Sequence, residues 1–146
     1  MTQLSEHFTL EEAVFSETAI RKGVPNDPDA DTIENMKEQA AGMEQVRELL
    51  GNPIHVSSWY RGPKLNAAIG GSKTSAHMEG YATDFTCPQF GNPQEVCRAI
   101  MNSNIQYRQL IYEGNWTHIS FKLPHIMQNL TAHFEGGRVT YSNGIA

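Results

Sequence analysis

The segment SAHMEGYATDF, residues 75–85, restricts the fold more than any other stretch of the chain. It sets His77 and Asp84 seven positions apart around Gly80. In an α-helix that spacing separates two side chains by roughly 10 Å along the axis, too far to share a ligand. A reversal at Gly80–Tyr81 instead places them opposite one another on two strands, with Cβ atoms about 5 Å apart. The spacing therefore predicts a hairpin, and with it a pincer of one imidazole and one carboxylate.

Local signals predict the other elements. Thr9-Leu-Glu-Glu12 is a capping box opening a helix that Gly23 closes. Beyond the loop VPNDPDAD, Ile33, Met36, Ala40, Met43, Val46 and Leu50 recur at helical spacing up to Gly51-Asn-Pro53. Such a helix covers one face of a sheet, with its methionines as core filler. IHVSSWY (54–60) predicts a strand running into Arg61, and Lys64–Ile69 a short helix ending at Gly70-Gly71. Asn92-Pro93-Gln-Glu95 starts another helix. QLIYE (109–113) and WTHISF (116–121) predict two strands joined at Gly114-Asn115, and LTAHFEGGRVTY a last hairpin turning at Gly136-Gly137. With helices first, antiparallel strands later and no internal linker, the 146 residues are expected to form one α+β domain over 1–146. Its expected architecture is a central antiparallel sheet with helices from the N-terminal half packed on one face.

Composition limits the partners. A net charge of −5 without any Lys/Arg cluster argues against nucleic acid. No apolar run approaches the ~20 residues of a membrane span, so no membrane partner is expected. The opening MTQLSEHFTLEEAVF has neither the basic nor the apolar region of a secretory signal, and synthesis in the cytoplasm is expected. A monomer is expected. Cys87 and Cys97, ten apart, match no metal-binding pattern and read as reduced, partly buried thiols.

In WTHISF, strand alternation puts Trp116, His118 and Ser120 on one face and Thr117, Ile119 and Phe121 on the other. His118 then projects from a strand, as His77 and Asp84 would. Two histidines and one carboxylate on neighbouring strands make a three-ligand set with a fourth position open to water. That is the layout of a catalytic zinc site, whereas structural sites are closed by four protein ligands.

The pattern S-x-H-x2-G-x-A-x-D (Ser75, His77, Gly80, Ala82, Asp84), followed by W-x-H (Trp116, His118), resembles the zinc D-alanyl-D-alanine carboxypeptidase family. The upstream Ser58-Trp-Tyr-Arg61, Asn66 and Gly70-Gly71 are similar to that family's arginine-bearing segment, and the resemblance covers roughly residues 54–121. The family includes D-Ala-D-Ala dipeptidases and phage L-alanyl-D-glutamate endolysins, and shares its fold with the hedgehog signalling domain. The resemblance implies a hedgehog/DD-peptidase-like fold, one zinc ion per chain, and His77, Asp84 and His118 as its ligands. It implies Arg61 as the arginine facing the metal, able to hold the scissile carbonyl or its developing oxyanion. Ser75 matches a residue that hydrogen-bonds substrate, the alternative being a hydroxyl that caps the turn. Trp116 walls the site or is a core aromatic.

One position departs from the pattern. Relatives carry an acidic residue three places before the last histidine, and here that place is Asn115, which cannot take a proton. The nearest carboxylate is Glu113. It is either the general base, brought round by the turn, or a strand-end residue in solvent. The expected function is accordingly a zinc peptidase cutting peptidoglycan stem peptides, as a D-Ala-D-Ala carboxypeptidase or an L-Ala-D-Glu endopeptidase. A phage lysin released at lysis, a virion-borne wall enzyme, or a host enzyme trimming wall peptides in the cytoplasm is expected from the absence of an export signal. The alternative is a zinc-containing binding or structural module that has lost catalysis.

Overall fold

The computed structural model describes residues 2–146. Thr9 opens α1 (Leu10–Val14) with the expected capping box, its hydroxyl accepting from the Glu12 amide while Glu12 accepts from the Thr9 amide. The helix stops sooner than expected. Ser16 caps a second one, α2 (Glu17–Lys22), by accepting from the Ala19 amide, and Gly23 closes that helix in the left-handed conformation.

The long helix α3 (Ala30–Leu50) buries Met36, Ala40, Met43, Val46 and Leu50 along one side. The same side carries Gln39, fully buried. Its amide donates to the Ile119 carbonyl (3.0 Å) and the Thr83 hydroxyl (3.2 Å) and accepts from the Phe121 amide (2.9 Å). Three partners are what allow a primary amide to sit in an apolar interior. The polar side chain thereby fastens the helix to the sheet.

That sheet has six strands in the order β1-β2-β4-β3-β5-β6. They are β1 (His55–Ser58), β2 (Ala82–Thr86), β3 (Gln109–Tyr112), β4 (Thr117–Ser120), β5 (Gln128–Glu135) and β6 (Arg138–Asn143). The sheet is mixed rather than antiparallel throughout, because β5 runs parallel to β3. The cause is local: β4 ends opposite Gln109, where β3 begins, so residues 121–127 need only pass round that end to lay β5 on the free side of β3. Nor do all the covering helices come from the N-terminal half. After a short helix α4 (Pro63–Ala68), the fifth, α5 (Pro93–Met101), packs on α3, β3 and β4. It is capped by Asn92 and buries Val96, Cys97 and Ile100. Phe8, Trp59, Phe85, Tyr107, Leu110 and Ile119 complete the core. Cys87 and Cys97 are both free and buried.

The stretch 75–85 is not a hairpin. Residues Ala76–Glu79 form one turn of 3₁₀ helix, capped by the Ser75 hydroxyl and closed by Gly80 at φ 80°. Only then does β2 begin. Both arrangements place glycine where positive φ is needed, so the sequence signal at Gly80 is common to the two.

Candidate metal centre

His77 is positioned by backbone. Its carbonyl accepts from the Arg61 amide (3.1 Å), and its ring Nδ1 lies 2.6 Å from the Trp59 carbonyl oxygen. A carbonyl only accepts, so Nδ1 carries the hydrogen and Nε2 keeps its lone pair. That Nε2 faces Asp84 Oδ1 at 3.3 Å. Burial holds the pKa of His77 below the ordinary histidine value, against the pull of Asp84, so the ring is neutral. Two lone-pair donors therefore confront each other with no hydrogen between them.

Asp84 and His118 meet by register. They are direct partners across β2 and β4, and His118 Nδ1 lies 2.9 Å from the same Oδ1. Burial alone would raise the Asp84 pKa, but the two imidazoles outweigh it and hold the carboxyl well below the usual carboxylate range. Burial likewise opposes charge on His118, yet the hydrogen bond and charge of Asp84 win and raise it. His118 Nε2 is buried with no hydrogen-bond partner. The three ligating atoms lie within 4.8 Å of one another.

The set fits zinc. Tetrahedral ligands at zinc distances are about 3.3 Å apart, which is the His77–Asp84 separation. A cation between Nε2 and Oδ1 turns their repulsion into coordination. The Trp59 carbonyl supplies the outer hydrogen bond that orients such a histidine. His77 thus arrives from a turn and not from a strand, while Asp84 and His118 come from adjacent strands as expected.

The remaining candidates line one cleft of about 730 Å³ that opens over these ligands. Arg61 Nη2 donates to the Ser75 hydroxyl (3.3 Å), and its Nε is buried without a partner. Burial works against the guanidinium charge, while Asp84 and Glu113 favour it. Ser75 also accepts from the His77 amide (3.2 Å), so it caps the turn and faces the cleft at once. Asn66 holds the same loop by donating to the Ser72 carbonyl (2.9 Å).

Glu113 is not in open solvent. It is half-buried on the cleft wall, and Trp116 donates its indole N–H to Oε2 at 2.7 Å. Burial and then the charge of Asp84 raise its pKa, against His118, Trp116 and Arg61. Asn115 is exposed at the tip of the turn. Trp116 is half-buried, packed on Phe134 with ring centroids 6.2 Å apart. His55 is exposed on β1 and belongs to a separate groove.

The cleft also contains residues that no motif marks. Lys122 pairs with both Glu79 carboxylate oxygens at 2.8 Å, tying the end of β4 to the 3₁₀ turn. Leu130, Val139 and Tyr141 reach the cleft from the last hairpin. Alternation in LTAHFEGGRVTY pairs Val139 with Tyr141 on one face, but which face depends on how β5 docks. A second cluster, Glu6, His7 and Glu44, also satisfies ligand distances. There Glu44 is already taken up by the Ser5 hydroxyl and by the amide and ring of His7.

A family model described as Peptidase M15 matches residues 6–120. The match spans α1 to β4 and includes His77, Asp84, His118, Arg61 and Glu113. No curated protein matches the chain.

Proposed function

This chain belongs to the M15 peptidase family, a family of zinc-dependent metallopeptidases, and we propose that it hydrolyses peptide bonds in peptidoglycan stem peptides. His77 Nε2, Asp84 Oδ1 and His118 Nδ1 would hold one zinc ion. The observation that carries this reading is the 3.3 Å approach of two lone pairs, His77 Nε2 and Asp84 Oδ1, beside His118.

Zinc, when bound, supplies a Lewis acid that acidifies water and polarises a carbonyl. Glu113 takes the proton from the attacking water and returns it to the leaving amine. Burial raises its pKa above the ordinary carboxyl value, the direction that helps a group which must both take a proton and give it back. The Trp116 indole occupies Oε2 and leaves Oε1 for the proton. Arg61 faces the charge that develops on the carbonyl oxygen, its guanidinium steadied by Ser75. Ser75 retains lone pairs and a hydroxyl hydrogen for the peptide backbone.

The bond cut is that of a D-Ala-D-Ala carboxypeptidase or an L-Ala-D-Glu endopeptidase, by a monomer reaching the wall after lysis or from a virion. Purified peptidoglycan is digested and the muropeptides are read by mass spectrometry. New termini at one of those bonds, lost in Glu113→Gln with zinc retained, are expected. An unaltered protein that binds zinc but releases nothing overturns the peptidase reading in favour of a zinc-containing module.

A further inference from the structure

The last hairpin lies outside residues 6–120, yet it supplies one wall of the cleft. The sheet order explains how. β5 docks on β3 in the register Ile111↔Leu130, and β6 docks on β5 in the register Ala132↔Tyr141. The cleft face therefore continues without a break from Asp84 and His118 through Ile111 to Leu130 and Tyr141. Val139, two residues before Tyr141, shares that face.

This stretch of wall is apolar and open. Val139 is 45% exposed and Tyr141 50% exposed, although both side chains border the cleft. The Tyr141 hydroxyl makes no hydrogen bond among the described residues, whereas the buried Tyr107 hydroxyl has Asn129. Burial, then the negative charges of Glu113 and Asp84, push the Tyr141 pKa up, so the hydroxyl stays a donor at neutral pH. Tyr141 lines the same cleft as Glu113, Asp84 and His118.

We propose that the β5–β6 hairpin is a substrate-binding wall, with the Tyr141 hydroxyl donating to a main-chain carbonyl of the bound peptide. Val139 and Leu130 contact an apolar side chain of that peptide next to the scissile bond. The occupant is the peptide substrate itself, because the wall is continuous with the metal ligands. The assignment rests on the peptidase reading and adds to it a specificity element that the matched family segment does not contain.

The test uses the zinc-loaded full chain, a soluble pentapeptide muropeptide, and the variants Tyr141→Phe and Tyr141→Ala. Hydrolysis gives kcat and KM, and calorimetry gives Kd. Loss of one neutral hydrogen bond raises KM about fivefold to tenfold in Tyr141→Phe, with kcat unchanged. Tyr141→Ala, which also loses the ring, raises KM about 50-fold. Zinc content stays at one per chain in both. If the muropeptide is bound but not cut, the same ratios in Kd decide the assignment. Values within twofold of the unaltered protein in both variants overturn it and leave the peptidase reading intact. An unaltered protein that neither cuts nor binds the muropeptide overturns both. Should Tyr141→Ala unfold, Tyr141→Phe alone decides, since it keeps the packing.

Discussion

The Trp116 indole N–H donates to Glu113 Oε2 at 2.7 Å, across the turn that joins β3 to β4. The contact fixes a carboxylate that sits five residues before His118, not three. It also joins Glu113, the proposed base, to the last hairpin, because Phe134 packs on the same indole. Trp116→Phe keeps the ring and removes the donor. A fall in kcat of about 10-fold with unchanged zinc content is expected. Combined with Glu113→Gln it should cost nothing further, since both act through one carboxylate. Additive losses in the double variant would assign Trp116 a separate task.

Elemental analysis should find about one zinc per chain, and none in the His77→Ala, Asp84→Ala double variant. Ligand linkage makes zinc a stabiliser. Free zinc at 100 times its Kd adds about 2.7 kcal/mol, so chelation should lower Tm by several degrees and zinc should restore it. The double variant should show no response to either.

Gly80 sits at φ 80°, and a Cβ there would come within 2.5 Å of Met36 Cγ on α3. Gly80→Ala meets strain and overpacking together, a cost of about 3 kcal/mol. The Gly80 amide also donates to the His77 carbonyl, so displacement moves a proposed metal ligand. Calorimetry should show a lowered Tm and weaker zinc binding in the same variant. A Tm unchanged within a degree would contradict the packing account.

Glu44 gives the fold an acid-sensitive clasp. Burial favours its protonation, but hydrogen bonds from Ser5 and His7 outweigh burial and hold its pKa below the ordinary 4.5. A depressed carboxyl pKa stabilises the fold above the ordinary value, and the gain is lost as pH falls through the folded-state value. Glu44→Gln should therefore cost about 1 kcal/mol at pH 7. Denaturant titrations should show that difference shrinking below pH 4.5. A difference that stays constant down to pH 3 would exclude the linkage.

Much of the site was legible where one short-range rule decides it. Strand alternation put Trp116, His118 and Ser120 on one face, and capping chemistry marked Thr9, Asn92 and the start of α5. The metal pincer was legible as residues but not as a shape. A 3₁₀ turn and a hairpin both need positive φ at Gly80, and the Trp59 carbonyl that orients His77 comes from eighteen residues away. Gln39 looks like any polar helix residue until β2 and β4 lie over it. The side of the sheet taken by the last hairpin depends on residues 121–127, which carry no periodic signal. Tyr141 could not be assigned to the cleft without that placement.

The Gln39 amide spans two neighbouring strands, touching Thr83 on one and, on the other, the main chain at Ile119 and at Phe121 just past its end. A slip of one residue between those strands would turn His118 to the far side and leave three interior groups without partners. Helix α3 thus acts as a ratchet pawl on the strands that carry Asp84 and His118. Two of the three proposed ligands are thereby locked in alignment before any ion arrives, so that capture of zinc by this set would demand little rearrangement of the chain.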